Sequence, residues 1–290
     1  MNLSSKNIGL LWFLAQSITV PITVVFVRFA AEGAKVPVLI FIQNFLSFVI
    51  LGSFLLLKGV SVKTNRLKLH AIRNVFGLGA WTCFFYAITM MPLNSVTAIT
   101  FTAPLVATLL AVIYLKEKLH GHRLHGLIIG FVGMLILLRP GSEVYSSAGV
   151  IALSGVLMVS VAQILMNILN RTESSIVVVF YMTLLSTLMS APFAAYVWEV
   201  PTAESMFWIT MIAIAAIFNV YAIVRAIKHA EIGVLMPLDF VRLIVTAILA
   251  YEIFDEKLDY MEALGAAVII IGVIYTVRKE RNVSRMANNK

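Results

Sequence analysis

The feature that most constrains this chain is its division into apolar runs of bilayer length. A hydrocarbon core of about 30 Å is crossed by roughly 20 helical residues. Residues 8–28, 37–57, 71–91, 95–115, 122–139, 147–169, 176–198, 206–227, 233–254 and 261–278 each supply such a run. Lipid offers backbone N–H and C=O groups no partner, so each run must satisfy its own, as a helix does. The expected fold is therefore all-α and polytopic, with ten transmembrane helices. Breaks such as "MMPLNS", "KEKLHGHRLH" and "RPGSEVYSS" carry turn and charge signals and are too short for an aqueous domain. A chain that is 61% hydrophobic and 12% charged, with a mean hydropathy of +0.97, lies outside the soluble globular class. The first run lacks a small-residue cleavage site and reads as a retained helix.

The net charge of +8 is informative through its placement. With the N-terminus in the cytoplasm, 17 of the 22 Lys and Arg fall on that side, Arg28, Lys35, Arg139 and Lys257 fall outside, and Arg242 lies within a helix. The positive-inside rule then places both termini in the cytoplasm. The partner implied by this charge is the lipid bilayer and not nucleic acid. Cys83 is a lone cysteine, which excludes an internal disulfide and argues against a thiolate metal site. The cluster His120, His122 and His125 has only Glu117 as an acidic neighbour and reads as a basic interfacial loop. No GxxxxGK[ST] loop and no nucleophile with a histidine base is present, so neither an enzyme nor a cofactor is expected.

A repeat lies beneath the helices. "AITFTAPLVATLLAVIYLKEKL" resembles "MPLDFVRLIVTAILAYEIFDEKL" at a shift of 139 residues, which sets Phe101 on Phe240, Glu117-Lys118-Leu119 on Glu256-Lys257-Leu258, and Gly126 and Gly133 on Gly265 and Gly272. Five helices per half is an odd number, so the second half enters the membrane from the opposite side. The halves are residues 8–139 and 147–278, followed by a basic cytoplasmic tail, 279–290. Inverted repeats of this kind recur in secondary transporters, whose substrate site lies near the midplane between the halves.

These corners resemble the paired EamA domains of the drug/metabolite transporter superfamily, and "RNVFG" with "PLDFVRL" narrows the likeness to one branch. The branch of nearest likeness contains bacterial S-adenosylmethionine uptake carriers, with riboflavin carriers and the G-type members of solute carrier family 35 beside it. The resemblance implies a ten-helix carrier of the bacterial inner membrane, with a cavity lined by helices 1, 3, 4, 6, 8 and 9, and with helices 5 and 10 peripheral.

Candidate site residues follow from polarity inside apolar runs. Asp239 and Arg242 sit three apart in the ninth run, where an unpaired charge costs roughly 2.5 to 3.5 kcal/mol. They form either a self-neutralising clamp or a site in which Arg242 grips a carboxylate or phosphate and Asp239 orients it or receives an amine. The equivalent positions in the first half are Thr100 and Ala103, so the charge is asymmetric. Ser160, Gln163, Asn167 and Asn170 form one polar stripe, and Gln16, Thr19 and Thr23 another. Both stripes suit a cavity wall or interhelical hydrogen bonding. Asn74, Gly77, Trp81 and Phe85 share a face of the third run, with Arg73 at its cytoplasmic end. Trp81, Phe85, Phe101 and Tyr221 are candidates to stack on a heterocycle or hold a cation, and Asn219 is a mid-helix ligand candidate. Pro21 and Pro104 mark kinks. Gly126, Gly130 and Gly133 read as helix packing or as a homodimer seam through helices 5 and 10.

The sequence therefore points to a secondary carrier of a small polar metabolite. S-adenosylmethionine fits the charge pattern best; riboflavin or another aromatic metabolite, or amino-acid and metabolite export, are the alternatives. A non-transporting membrane assembly or receptor subunit is the reading from a different class.

Overall fold

The computed structural model describes residues 5–103, 106, 110, 121–138, 147–170, 172–229, 240–257 and 259–288. Among these residues the regular structure is helical throughout, with no strand. Its elements are α1 (Ser5–Glu32), α2 (Val36–Leu57), α3 (Leu67–Met90), α4 (Leu93–Thr100), α5 (Gly121–Leu138), α6 (Ser147–Asn170), α7 (Ser175–Tyr196), α8 (Ala203–His229), α9 (Phe240–Phe254) and α10 (Tyr260–Asn288). Six spans within α1, α2, α3, α6, α7 and α8 are long and apolar enough to cross a bilayer. The elements fall where the apolar runs place them. One difference is that α10 runs on to Asn288, so the described part of the expected tail continues the last helix.

The principal helix pairings carry the repeat into three dimensions. α1 packs on α8 and α9, while α6 packs on α3 and α4; α2 packs on α7, α4 on α9, and α5 on α10. Exchanging each helix for the one five places along leaves this set unchanged, as a two-fold relation between halves requires. At the α5–α10 contact a Cβ on Gly133 would lie 2.7 Å from the amide nitrogen of Ile269 and 2.9 Å from the carbonyl oxygen of Gly265. The two backbones therefore touch, and only glycine permits it. This glycine, read from sequence as packing or as a homodimer seam, is used within the chain.

The apolar core is lopsided. Its main cluster draws on Val25, Val27 and Ala30 late in α1, Val36 to Ile42 early in α2, Ala80 to Met91 late in α3, Leu93 to Ile99 in α4, and Ala148, Ala152 and Val156 early in α6. Late α7, early α8, late α9 and early α10 contribute Ala194, Ile209, Ile212, Ala250, Ala266 and Ile269. Because successive helices alternate in direction, all of these lie at one end of the bundle. At the other end the described clusters are small: Phe13 with Ala226, and Leu51, Leu55 and Val179.

Candidate functional site

α4 stops after eight residues, well short of a membrane span. The Phe101 amide divides itself between the carbonyls of Thr97 and Ala98 at 3.3 and 3.2 Å, and the Thr102 amide binds Ile99 at 3.0 Å, so the backbone tightens into a 3₁₀-like turn. Pro104, which the sequence marks as a kink, lies outside the described residues. Ser160 of α6 donates its hydroxyl to the carbonyl of Ala103 at 3.1 Å, satisfying an acceptor at the break.

Arg242 of α9 meets this break. Its guanidinium carbon lies 4.6 Å from the centroid of the Phe101 ring, and Phe101 is buried. Such a contact contributes about 2 kcal/mol when desolvated and holds the guanidinium plane against the ring. Thr246, one turn along α9, donates to the carbonyl of Arg242 at 2.8 Å. Thr100 donates to the carbonyl of Thr97 at 2.6 Å. Asp239 lies outside the described residues, as does any contact it makes with Arg242.

Two predicted residues face openings in the packing. Trp81 is 50% exposed although Gly77, four residues before it, and Phe85, four after, are buried. Gln163 on α6 is exposed although Val156 and Ser160, on the same helical face, are buried. Exposure on the packing face of a helix marks a gap between helices and not the outer surface. Trp81 stands edge-on to Phe84 and Phe85 at 6.4 and 6.0 Å, which fixes its ring at the gap's margin. Asn167 and Asn170 continue the α6 helix, but their side chains are outside the described set.

The stripe on α1 is engaged across the helix interface. Thr19 donates to the Asn219 amide oxygen at 2.5 Å, and the Asn219 amide nitrogen donates to Thr23 at 3.1 Å. Gln16, one turn before Thr19, keeps a buried Oε1 with no partner. Tyr221 stands apart from the other candidates. It is 48% exposed on a stripe with Phe207 and Ile214 and packs edge-on to Trp12 at 5.4 Å.

A second polar centre forms where α3 faces α6 and α7. Asn74 is 1% exposed; its carboxamide oxygen accepts from the Ser186 amide at 2.9 Å and its nitrogen donates to the Met182 carbonyl at 3.2 Å. Arg73 is 8% exposed, and its Nη2 lies 3.9 Å from the Met166 sulfur. His70, one turn earlier, is 2% exposed and packs on Tyr181 with ring centroids 4.8 Å apart. His70 escaped the sequence reading because it sits in a basic break, "NRLKLH". The available signal was its spacing, three before Arg73 and four before Asn74, which puts all three on one face.

The packed end of the bundle is fastened by Glu256, the acid of the second "EKL" corner. Asp255 adopts φ +53°, and the Glu256 amide turns back to the Ala250 carbonyl at 3.1 Å, ending α9. One carboxylate oxygen of Glu256 binds Arg28 Nη1, and the other accepts from the Leu93 amide at 2.9 Å. A single side chain thus joins the ends of α1, α4 and α9. Arg28 also lies 4.7 Å over Phe254, whose ring packs on Phe29, itself stacked on Trp208.

Comparison with known proteins agrees with this architecture. The EamA-like transporter family model matches residues 7–139 and again 146–278, so the second match begins and ends 139 residues after the first. An S-adenosylmethionine uptake transporter of Rickettsia bellii is 26% identical over 287 residues, covering 96% of each chain. A riboflavin transporter of Brucella anthropi is 26% identical over 237 residues, covering 78% of this chain and 82% of its own. A solved crystal structure superposes with a TM-score of 0.64 at 17% identity, covering 94% of this chain and 97% of that one, and shows a shared fold.

Proposed function

Since this chain belongs to the EamA-like transporter family, and so is a multi-pass membrane transporter, we propose that it is a ten-helix secondary carrier taking up S-adenosylmethionine or a similar zwitterionic or anionic metabolite by alternating access. The observation that carries the proposal is Arg242 seated on Phe101 at the break in α4. Broken helices near the midplane are where transporters of inverted-repeat design hold their substrates. A guanidinium pairs with a carboxylate through two parallel hydrogen bonds, and the aromatic seat of Arg242 limits its rotation. The exposure of Trp81 on a packing face supports a substrate with a flat ring, such as adenine, that could stack on it.

The charge distribution supports an inner-membrane protein with both termini cytoplasmic. In that orientation the well-packed end is the outer one. Its tight core and the Glu256 junction support a state closed to the outside, with substrate access from the cytoplasmic face. Exchange of roles between the repeats would close the other end in turn.

The test is uptake of radiolabelled S-adenosylmethionine into proteoliposomes, with unlabelled S-adenosylmethionine or riboflavin as competitor. Saturable uptake, displaced by unlabelled S-adenosylmethionine and abolished by Arg242→Ala in folded protein, supports the proposal. Strong displacement by riboflavin alone moves the substrate to the aromatic class. Absence of flux with folded protein overturns the carrier reading.

A further inference from the structure

The polar centre between α3, α6 and α7 has an electrostatic feature that the Arg242 site does not account for. Arg73 is more than nine-tenths buried, and among the described residues its Nε has no hydrogen-bond partner and its one polar contact is the Met166 thioether. Among the described residues no carboxylate lies within ion-pair distance of it. Glu173 accepts a hydrogen bond from Thr64 at 2.7 Å. His70, on the same face, also buries an Nε2 without a partner. Gly77 completes the arrangement: a Cβ there would stand 2.9 Å from Arg73 Nη1, so the guanidinium lies forward along α3 over the glycine.

A buried cation matched only by a thioether is strongly unfavourable, and interiors keep such groups when something else supplies the counter-charge. A snorkelling arginine would instead extend its head group to the interface. Arg73 does the reverse, laying its donors along α3 over Gly77, one turn further into the membrane span. We propose that Arg73 forms an oxyanion subsite, separate from Arg242, that takes the carboxylate of the transported solute on the cytoplasmic side of the midplane. The pathway then holds two cationic stations, one at the α4 break and one about three turns of helix below Phe84 on α3. The second station receives the carboxylate as the first releases it. The assignment of a carboxylate solute rests on the proposed function, whereas the presence of an oxyanion site does not.

The experiment compares thermal unfolding of the purified, full-length carrier with that of Arg73→Met, Gly77→Ala and Arg242→Met. Inorganic phosphate, phosphatidylglycerol and S-adenosylmethionine serve as probes, with chloride at matched ionic strength as control. A ligand bound to the folded state raises apparent stability. Arg73→Met, which removes the unmatched charge at similar volume, is expected to unfold at a higher temperature than the wild type without ligand. The same variant is expected to lose the phosphate-induced shift that Arg242→Met keeps. Gly77→Ala is expected to leave the unliganded unfolding temperature close to wild type and weaken the phosphate response several-fold. A phosphate response persisting in Arg73→Met overturns the subsite, as does a lower unliganded stability of that variant. Stabilisation by phosphatidylglycerol and not by free phosphate or S-adenosylmethionine also overturns it, in favour of a lipid contact. An Arg73-dependent phosphate shift with no response to S-adenosylmethionine supports the site while removing the substrate reading.

Discussion

The carboxylate of Glu256 binds the guanidinium of Arg28, drawing the end of α9 onto the end of α1, and its second oxygen holds the first amide of α4. The residue that marks the repeat in the sequence is thus the one that ties three helix ends together. Its equivalent at the 139-residue shift in the sequence is Glu117.

Glu256→Gln removes the ion pair and weakens the bond to Leu93, at an expected cost of about 1 to 3 kcal/mol of stability. Arg28→Gln is expected to cost a similar amount. The double variant should cost little more than either single one, because both remove the same contact. Thermal unfolding of the four proteins measures the coupling.

Arg242→Ala is expected to reduce uptake by at least tenfold while the protein stays monodisperse. Arg242→Lys should recover only part of the activity, because an ammonium keeps the charge but not the fork or the planar stacking on Phe101. Initial uptake rates across the two variants separate charge from geometry.

Asn219→Ala removes both bonds to Thr19 and Thr23. Interhelical hydrogen bonds in membranes average about 0.6 kcal/mol, so a loss of about 1 kcal/mol in stability is expected, with uptake within threefold of wild type. A larger fall in uptake at unchanged stability, measured on the same preparations, would make Asn219 a substrate ligand instead.

Gly133→Leu forces a side chain into a backbone contact with Ile269 and Gly265, for which the chain has no space. It should destabilise the protein by more than about 2 kcal/mol, whereas substitution of the exposed Ile128 on the same helix should be nearly neutral. Thermal unfolding of the two variants in matched detergent checks this.

Much of the fold was legible before any coordinates. Bilayer length and the need of each segment to satisfy its own backbone are local properties, so helix positions and all-α character can be read from the order of residues. The repeat was legible because a charged triplet and two glycines at a common shift stand out against an apolar background. Burial and partner choice are not local. Trp81 and Tyr221 carry the same aromatic signal, yet one faces a gap in the packing and the other an outer stripe beside Trp12. Gly133 reads as a contact glycine from sequence, but only the fold decides that the contact is with α10 of the same chain.

What the sequence by itself determined is the set of helices, their pseudo-symmetric order and the presence of charges that lipid alone would not tolerate. What only the tertiary structure decided is which charge meets which neighbour: Arg242 on Phe101, Arg28 on Glu256, and Arg73 beside a thioether. Helix formation satisfies the backbone within a segment, whereas the surroundings of a charged side chain depend on surfaces that come together only when distant helices pack.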